Sequence, residues 1–166
     1  MTKKHGMEPA ALDAWIAKLR EPGLEQCHGL LQAYEDEFLP AYCCLGVYDF
    51  TQGYIYADHD YGYDDVEASR TYSESGLSNM TQDILAYFND KGSEEDPWDF
   101  PRIADLLQDQ RDSLIACGCF SEEWLEAHRK GGLGHLSVSD ALRERDLITL
   151  GHLRYLEPLT PGQDQP

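Results

Sequence analysis

Between Glu35 and Asp105 the chain carries 17 Asp or Glu against three basic residues, Arg70, Lys91 and Arg102, a local balance of −14. The remaining residues carry 14 acidic against 10 basic, so most of the total charge of −18 sits in the middle of the chain. Such a field repels nucleic acid and anionic lipid heads and attracts basic surfaces, with association rates that depend on salt. Direct nucleic-acid binding and membrane association are therefore not expected. The chain is nevertheless 42% hydrophobic and 11% aromatic, too apolar for a disordered acidic tail. At 166 residues it suits one domain, which buries roughly 70% of its unfolded surface.

Apolar spacing predicts mostly helix. Leu12, Trp15, Ile16 and Leu19 recur at helical intervals between Pro9 and Arg20, with Pro9 in the first turn and Glu21-Pro22-Gly23 as the stop. A second helix starts near Ser78 or Thr81, runs to about Asn89, and aligns Met80, Ile84, Leu85 and Phe88. A third begins at Pro101 and carries Ile103, Leu106, Leu107, Leu114 and Ile115 as far as Cys117. Shorter helices are predicted from Ser121 to about Lys130 and from Ser139 to Asp146. Leu24 to Tyr34 reads as a short helix or a loop, and Leu147 to Leu156 as a strand or a helix.

The stretch Tyr42 to Tyr56 is rich in aromatic and β-prone residues around Thr51-Gln52-Gly53, which predicts a hairpin or two short strands. Asp58 to Ser75 is read as a long loop, with or without an edge strand inside it, and Gly131 to His135 as a flexible linker. The resulting expectation is an α+β, mostly helical single domain over residues 1–157 with a small antiparallel β-sheet or hairpin, followed by a tail over 158–166.

Chemistry is sparse. No apolar segment follows Lys3 and Lys4, and nowhere do about 18 apolar residues run together, so neither export nor a membrane span is expected. Five cysteines, Cys27, Cys43, Cys44, Cys117 and Cys119, then read as reduced thiols in a cytosol, buried as small hydrophobes. Neither Cys43-Cys44 nor Cys117-x-Cys119 has the spacing of a structural zinc pair. The run from Asp58 fails the EF-hand pattern, because Tyr63 stands where Gly is needed and Ser69 where the bidentate Glu belongs. No nucleophile elbow or P-loop is present, and the six histidines lie singly. Neither catalysis nor a cofactor is expected.

What remains is a mixture of carboxylates and aromatic rings: Asp49, Tyr54, Tyr56, Asp58, Asp60, Tyr61, Tyr63, Asp64, Asp65 and Glu67, then Glu94, Glu95, Asp96, Trp98 and Asp99. Carboxylates supply charge while tyrosine and tryptophan supply rigid contact area, which predicts a partner-binding surface. Duplex DNA carries one charge per about 1.7 Å, so −14 corresponds to roughly 24 Å of duplex. An acidic surface also serves solubility or a salt-adapted host, and five lysines among 13 basic residues suit the latter.

The residues Trp15-x₃-Leu19-Arg20, Gly23, Gln26, Gly29 and Tyr42-Cys43-Cys44-Leu45-Gly46-Val47, followed by Phe88-Asn89-Asp90-Lys91-Gly92, Phe100 and Ile103-Ala104-Asp105-Leu106-Leu107, resemble an uncharacterised family of small phage and prophage proteins. The likeness spans Trp15 to Leu107 and implies a phage origin rather than a mechanism. Glu35-Asp36-Glu37, the acidic insert after Gly92 and the C-terminal region depart from the pattern. Charge and resemblance together lead to the expectation of a phage-encoded inhibitor in the host cytosol, anti-CRISPR-like, that mimics nucleic acid in the basic channel of a host protein or CRISPR effector complex. Two other readings are a metal-dependent phage enzyme using Asp58, His59, Asp60 and Asp64, and a non-mimicking adaptor that binds through the Trp15 helix or the C-terminal region.

Overall fold

The computed structural model describes residues 5–34, 40–54, 56–57, 59–91 and 97–150. Their order is α1 (Pro9–Leu19), β1 (Gln32–Ala33), β2 (Ala41–Tyr42), α2 (Cys44–Thr51), α3 (Val66–Ser73), α4 (Asn79–Asp90), α5 (Phe100–Asp109), α6 (Arg111–Cys117), α7 (Glu122–Ala127) and α8 (Val138–Thr149). The fold is α+β and mostly helical, with β1 and β2 antiparallel, Gln32 opposite Tyr42 and Ala33 opposite Ala41. Residues 151–166, which include the end of the Leu147 to Leu156 segment and the tail, lie outside the described residues.

Helix starts are set by short polar side chains that accept the amide hydrogens left free in a first turn. Asp65, Ser78, Asp99, Ser121 and Ser137 cap α3, α4, α5, α7 and α8 in this way. At α2 the cap is a sulfur, with Gly46 N donating to Cys43 Sγ at 3.3 Å. The stripes predicted on α1, α4 and α5 face inward: Leu12, Trp15, Ile16 and Leu19 are buried, as are Ile84, Leu85, Phe88, Ile103 and Leu107. α2 sits at the centre, touched by α1, α3 and α4, while α8 closes against α4, α6 and α7. Trp15 ties the layers together by donating Nε1–H to Cys44 O at 2.9 Å and packing edge-on against Tyr48.

Four local expectations are corrected. Most of the stretch read as a hairpin from Tyr42 to Tyr56 is helix α2 (Cys44–Thr51), and among its described residues only Tyr42 lies in a strand, β2. Leu45, Val47, Tyr48 and Asp49 are all buried there, and a helix covered on nearly every side has no polar face to reveal its period. Tertiary burial overrides β-propensity. The Asp58 to Ser75 loop contains α3, held by its Asp65 cap and by buried Ala68 and Tyr72. The Pro101 helix breaks at Gln110, whose Oε1 accepts Ser121 N at 2.8 Å, so that α5 and α6 are separate. The Gly131 to His135 linker is also packed: Leu133 is fully buried, and a Cβ at Gly134 would collide with the Tyr87 ring.

Candidate functional site

The fold divides the carboxylate and aromatic residues into an inward and an outward set. Asp49 is fully buried on α2, and its Oδ2 accepts the Tyr56 hydroxyl at 2.8 Å. Tyr56 and Tyr61 are buried too, their rings 5.0 Å apart and edge-to-face, with Tyr54 stacked edge-on against Tyr56 at 4.7 Å. The expectation that Asp49, Tyr56 and Tyr61 present themselves to a partner is therefore wrong. Aromatic rings bury large apolar areas, and here they plug the seam between α2 and the chain that follows it.

Asp60, Asp64 and Glu67 stay exposed, and Asp65 is partly so. Two of these also have structural tasks: Asp60 Oδ1 accepts Tyr34 N at 2.6 Å, and Asp65 caps α3. Glu74, at the far end of α3, adds an exposed carboxylate that the original set missed. Tyr63 donates its hydroxyl to Asp90 at 3.1 Å and 3.2 Å. Trp98 stacks on Phe88 with ring centroids 4.2 Å apart, Arg102 covers its ring at 3.9 Å, and exposed Asp99 caps α5. Since Phe88 and Asp90 close the last turn of α4, the Tyr63 and Trp98 segments converge on one end of that helix. Asp58, Glu94, Glu95 and Asp96 fall outside the described residues.

Burial of Asp49 has an electrostatic consequence. Desolvation pushes its carboxyl up from the ordinary 3.8 to about 7, against the opposing Tyr56 hydrogen bond. Its Oδ1 has no hydrogen-bond partner among the described residues. Between these two values the folded chain holds a proton that the unfolded chain releases. The associated stability is complete below the unfolded value, declines as pH rises and is gone above about 7. Asp49→Asn removes this slope. Urea unfolding at about pH 5 and about pH 8 should show the variant gaining roughly 2 kcal/mol on the wild type across that interval. An unchanged difference between the two proteins would mean that Asp49 is ionised in the fold.

Beside α3 lies a cleft of about 500 Å³ lined by Tyr63, Tyr72 and Tyr87 with Asp83, Lys91 and His135. Partial burial raises the Asp83 carboxyl above its usual range, while the charge of His135 opposes the shift. Sequence reasoning missed this cleft. Asp83 and Tyr87 are spaced to share a face of α4, a legible signal, but His135 arrives from a segment 45 residues beyond Asp90.

Among the described residues no three His, Cys, Asp or Glu side chains gather as a metal site. His59 stacks on Tyr61 at 4.1 Å with Nδ1 2.8 Å from Asp60 O. All five thiols are buried, and none forms a disulfide. On the Trp15 helix, Leu12, Trp15, Ile16 and Leu19 are buried, while Ala10, Asp13 and Ala14 are exposed. No described helix is long and apolar enough to cross a membrane. In comparisons with known proteins, no family model matches the chain, and no curated protein or solved structure is significantly similar to it.

Proposed function

We propose that this chain is a phage-encoded acidic inhibitor, anti-CRISPR-like, that works in the host cytosol and sets its carboxylates where nucleic-acid phosphates would lie in a basic channel. The observation that carries the reading is the state of the carboxylates from Asp60 to Glu74. Four of them are exposed, Asp65 is partly so, Arg70 is the only basic residue among them, and none pairs with a basic group among the described residues. Elsewhere the acidic surface is partly neutralised. Asp13 is paired with Arg111, Asp105 with Arg20, Glu21 with Lys18 and Glu126 with Arg129. Unpaired exposed carboxylates keep their field available to a partner, and a partner rich in arginine gains by releasing their counterions.

The tyrosines have a different part in this reading: they hold the acidic segment rigid from beneath, so that little order has to be gained on binding. The test is target-DNA binding by a purified CRISPR effector, measured with equimolar protein at about 50 mM and about 300 mM salt. Inhibition is expected at low salt and should weaken at high salt. The combined variant Asp64→Asn, Glu67→Gln and Glu74→Gln, which spares the residues with structural bonds, should lose about tenfold in potency. Unchanged DNA binding at low salt, by such effectors and by other DNA enzymes of the host, would end the proposal.

A further inference from the structure

A second cleft, of about 520 Å³, opens between the N-terminal segment, α6 and α8, and is lined in part by His5, Asp112, Ser113, Cys117, Ser121 and Arg145. α6 ends at Cys117, and Gly118 adopts the left-handed conformation (φ 73°) that turns the chain back on itself. This turn brings Cys119 back against the last turn of the helix, where its Sγ lies 3.7 Å from Cys117 O. The Ser113 hydroxyl donates to Cys119 O at 2.7 Å and stands 4.0 Å from Cys117 Sγ. Ile148 of α8 packs on both cysteines. Arg145 brings a positive charge to the same cleft, and its buried Nε has no hydrogen-bond partner among the described residues.

We propose that Cys117-Gly118-Cys119 is a redox-active dithiol, in which Cys117 is the sulfur oxidised by hydrogen peroxide entering through this cleft and Cys119 is the sulfur that resolves it. Cys117 attacks one peroxide oxygen, so that an S–O bond forms, the O–O bond breaks and hydroxide leaves, with Cys117 now a sulfenic acid. The sulfur of Cys119 then attacks Cys117, its proton neutralises the hydroxide, and the sulfenic oxygen departs as water with a proton from solvent. The proton that Cys117 lost at the outset balances the one taken from solvent. Overall two thiols lose two electrons, and peroxide is reduced to two waters. A ring closed over a single intervening residue is strained, and strained disulfides are readily reduced, so the change is reversible.

The other three thiols provide an internal contrast. Burial pushes Cys27 and Cys43 up to about 12 and raises Cys44 as well. The Cys119 thiol holds Cys117 below the ordinary thiol range, with Ser113 and Arg145 assisting against desolvation. The charged and titratable groups around the pair are Asp112 on α6, Glu144 and Arg145 on α8, and His5; Ser78 at the start of α4 adds a hydroxyl. Cys117 is only 4% exposed, which favours an oxidant as small as peroxide over a bulky disulfide.

The experiment treats the full chain with hydrogen peroxide, blocks the remaining thiols after unfolding, and maps the cysteines by mass spectrometry. The expected product is a peptide lighter by two hydrogens that contains Cys117 and Cys119, restored by dithiothreitol. Cys27, Cys43 and Cys44 should react more slowly by on the order of tenfold or more. In Cys119→Ser the reaction should stop at a Cys117 sulfenic acid that dimedone traps, and in Cys119→Ala the pH midpoint for Cys117 alkylation should rise. Oxidation of Cys117 no faster than Cys27, Cys43 and Cys44, or a disulfide joining any other pair, would overturn the proposal.

Discussion

Asn89→Ala is expected to lower the unfolding free energy by about 3–5 kcal/mol, the largest loss from any single side chain considered. The Asn89 amide is completely buried at the end of α4. Its oxygen accepts Cys44 N at 3.0 Å and Gln26 Nε2 at 2.9 Å, and its nitrogen donates to Cys27 O at 2.9 Å and Asp90 Oδ1 at 3.0 Å. Gln26 and Asp90 have second partners, Trp98 O for the former and Gly29 N and the Tyr63 hydroxyl for the latter. Cys44 N and Cys27 O would lose a buried partner without water to replace it, at about 1–3 kcal/mol each, and a cavity adds to the cost. Against a total stability of roughly 5–15 kcal/mol, this leaves the variant close to unfolding. Urea unfolding measures it directly, and a loss below about 1 kcal/mol would show that the amide is not the lock between α2 and α4.

Gly46→Ala sets two effects of opposite sign against each other. In an ordinary helix the exchange stabilises by about 1 kcal/mol, because glycine gives up more backbone freedom. Here the new Cβ would stand inside the van der Waals envelope of Leu31 O, a backbone atom that accepts Cys43 N at 3.1 Å and cannot swing aside. Overpacking of this kind costs typically 1–3 kcal/mol or more, and it acts on α2, which is packed against three other helices. We expect net destabilisation of about 2 kcal/mol, read as a fall in Tm of about 4–8 °C. A rise in Tm would mean that helix propensity prevails and that the contact between α2 and Leu31 is soft.

Both positions belong to strings that stand out in the sequence, Tyr-Cys-Cys-Leu-Gly-Val and Asn-Asp-x-Gly. In the fold these strings meet, because Cys44 N donates to Asn89 Oδ1 across 45 residues of sequence. Glycine is needed where α2 crosses Leu31, and asparagine where one amide must serve both a helix N-terminus and a loop carbonyl. Their spacing gave no hint of this, since hydrogen bonds between distant segments leave no periodic trace in either one. The residues that looked most distinctive are accounted for by architecture rather than by chemistry.

The sequence by itself determined the apolar stripes of α1, α4 and α5, the capped starts of α4 and α7 at Ser78 and Ser121, and the concentration of negative charge between Glu35 and Asp105. These are local properties: a stripe, a cap and a charge are written within a few neighbouring residues. Only the tertiary structure decided that Tyr42 to Tyr56 contains a buried helix, that Asp49 is held inside with Tyr56 while Asp64 and Glu67 remain in water, and that Cys117 borders a cleft with Cys119 folded back beside it. Burial depends on what distant segments bring to cover a side chain. Two aspartates of identical local appearance can therefore end in opposite environments, one beneath a layer of rings with its carboxyl pushed up by burial and one in water at the surface.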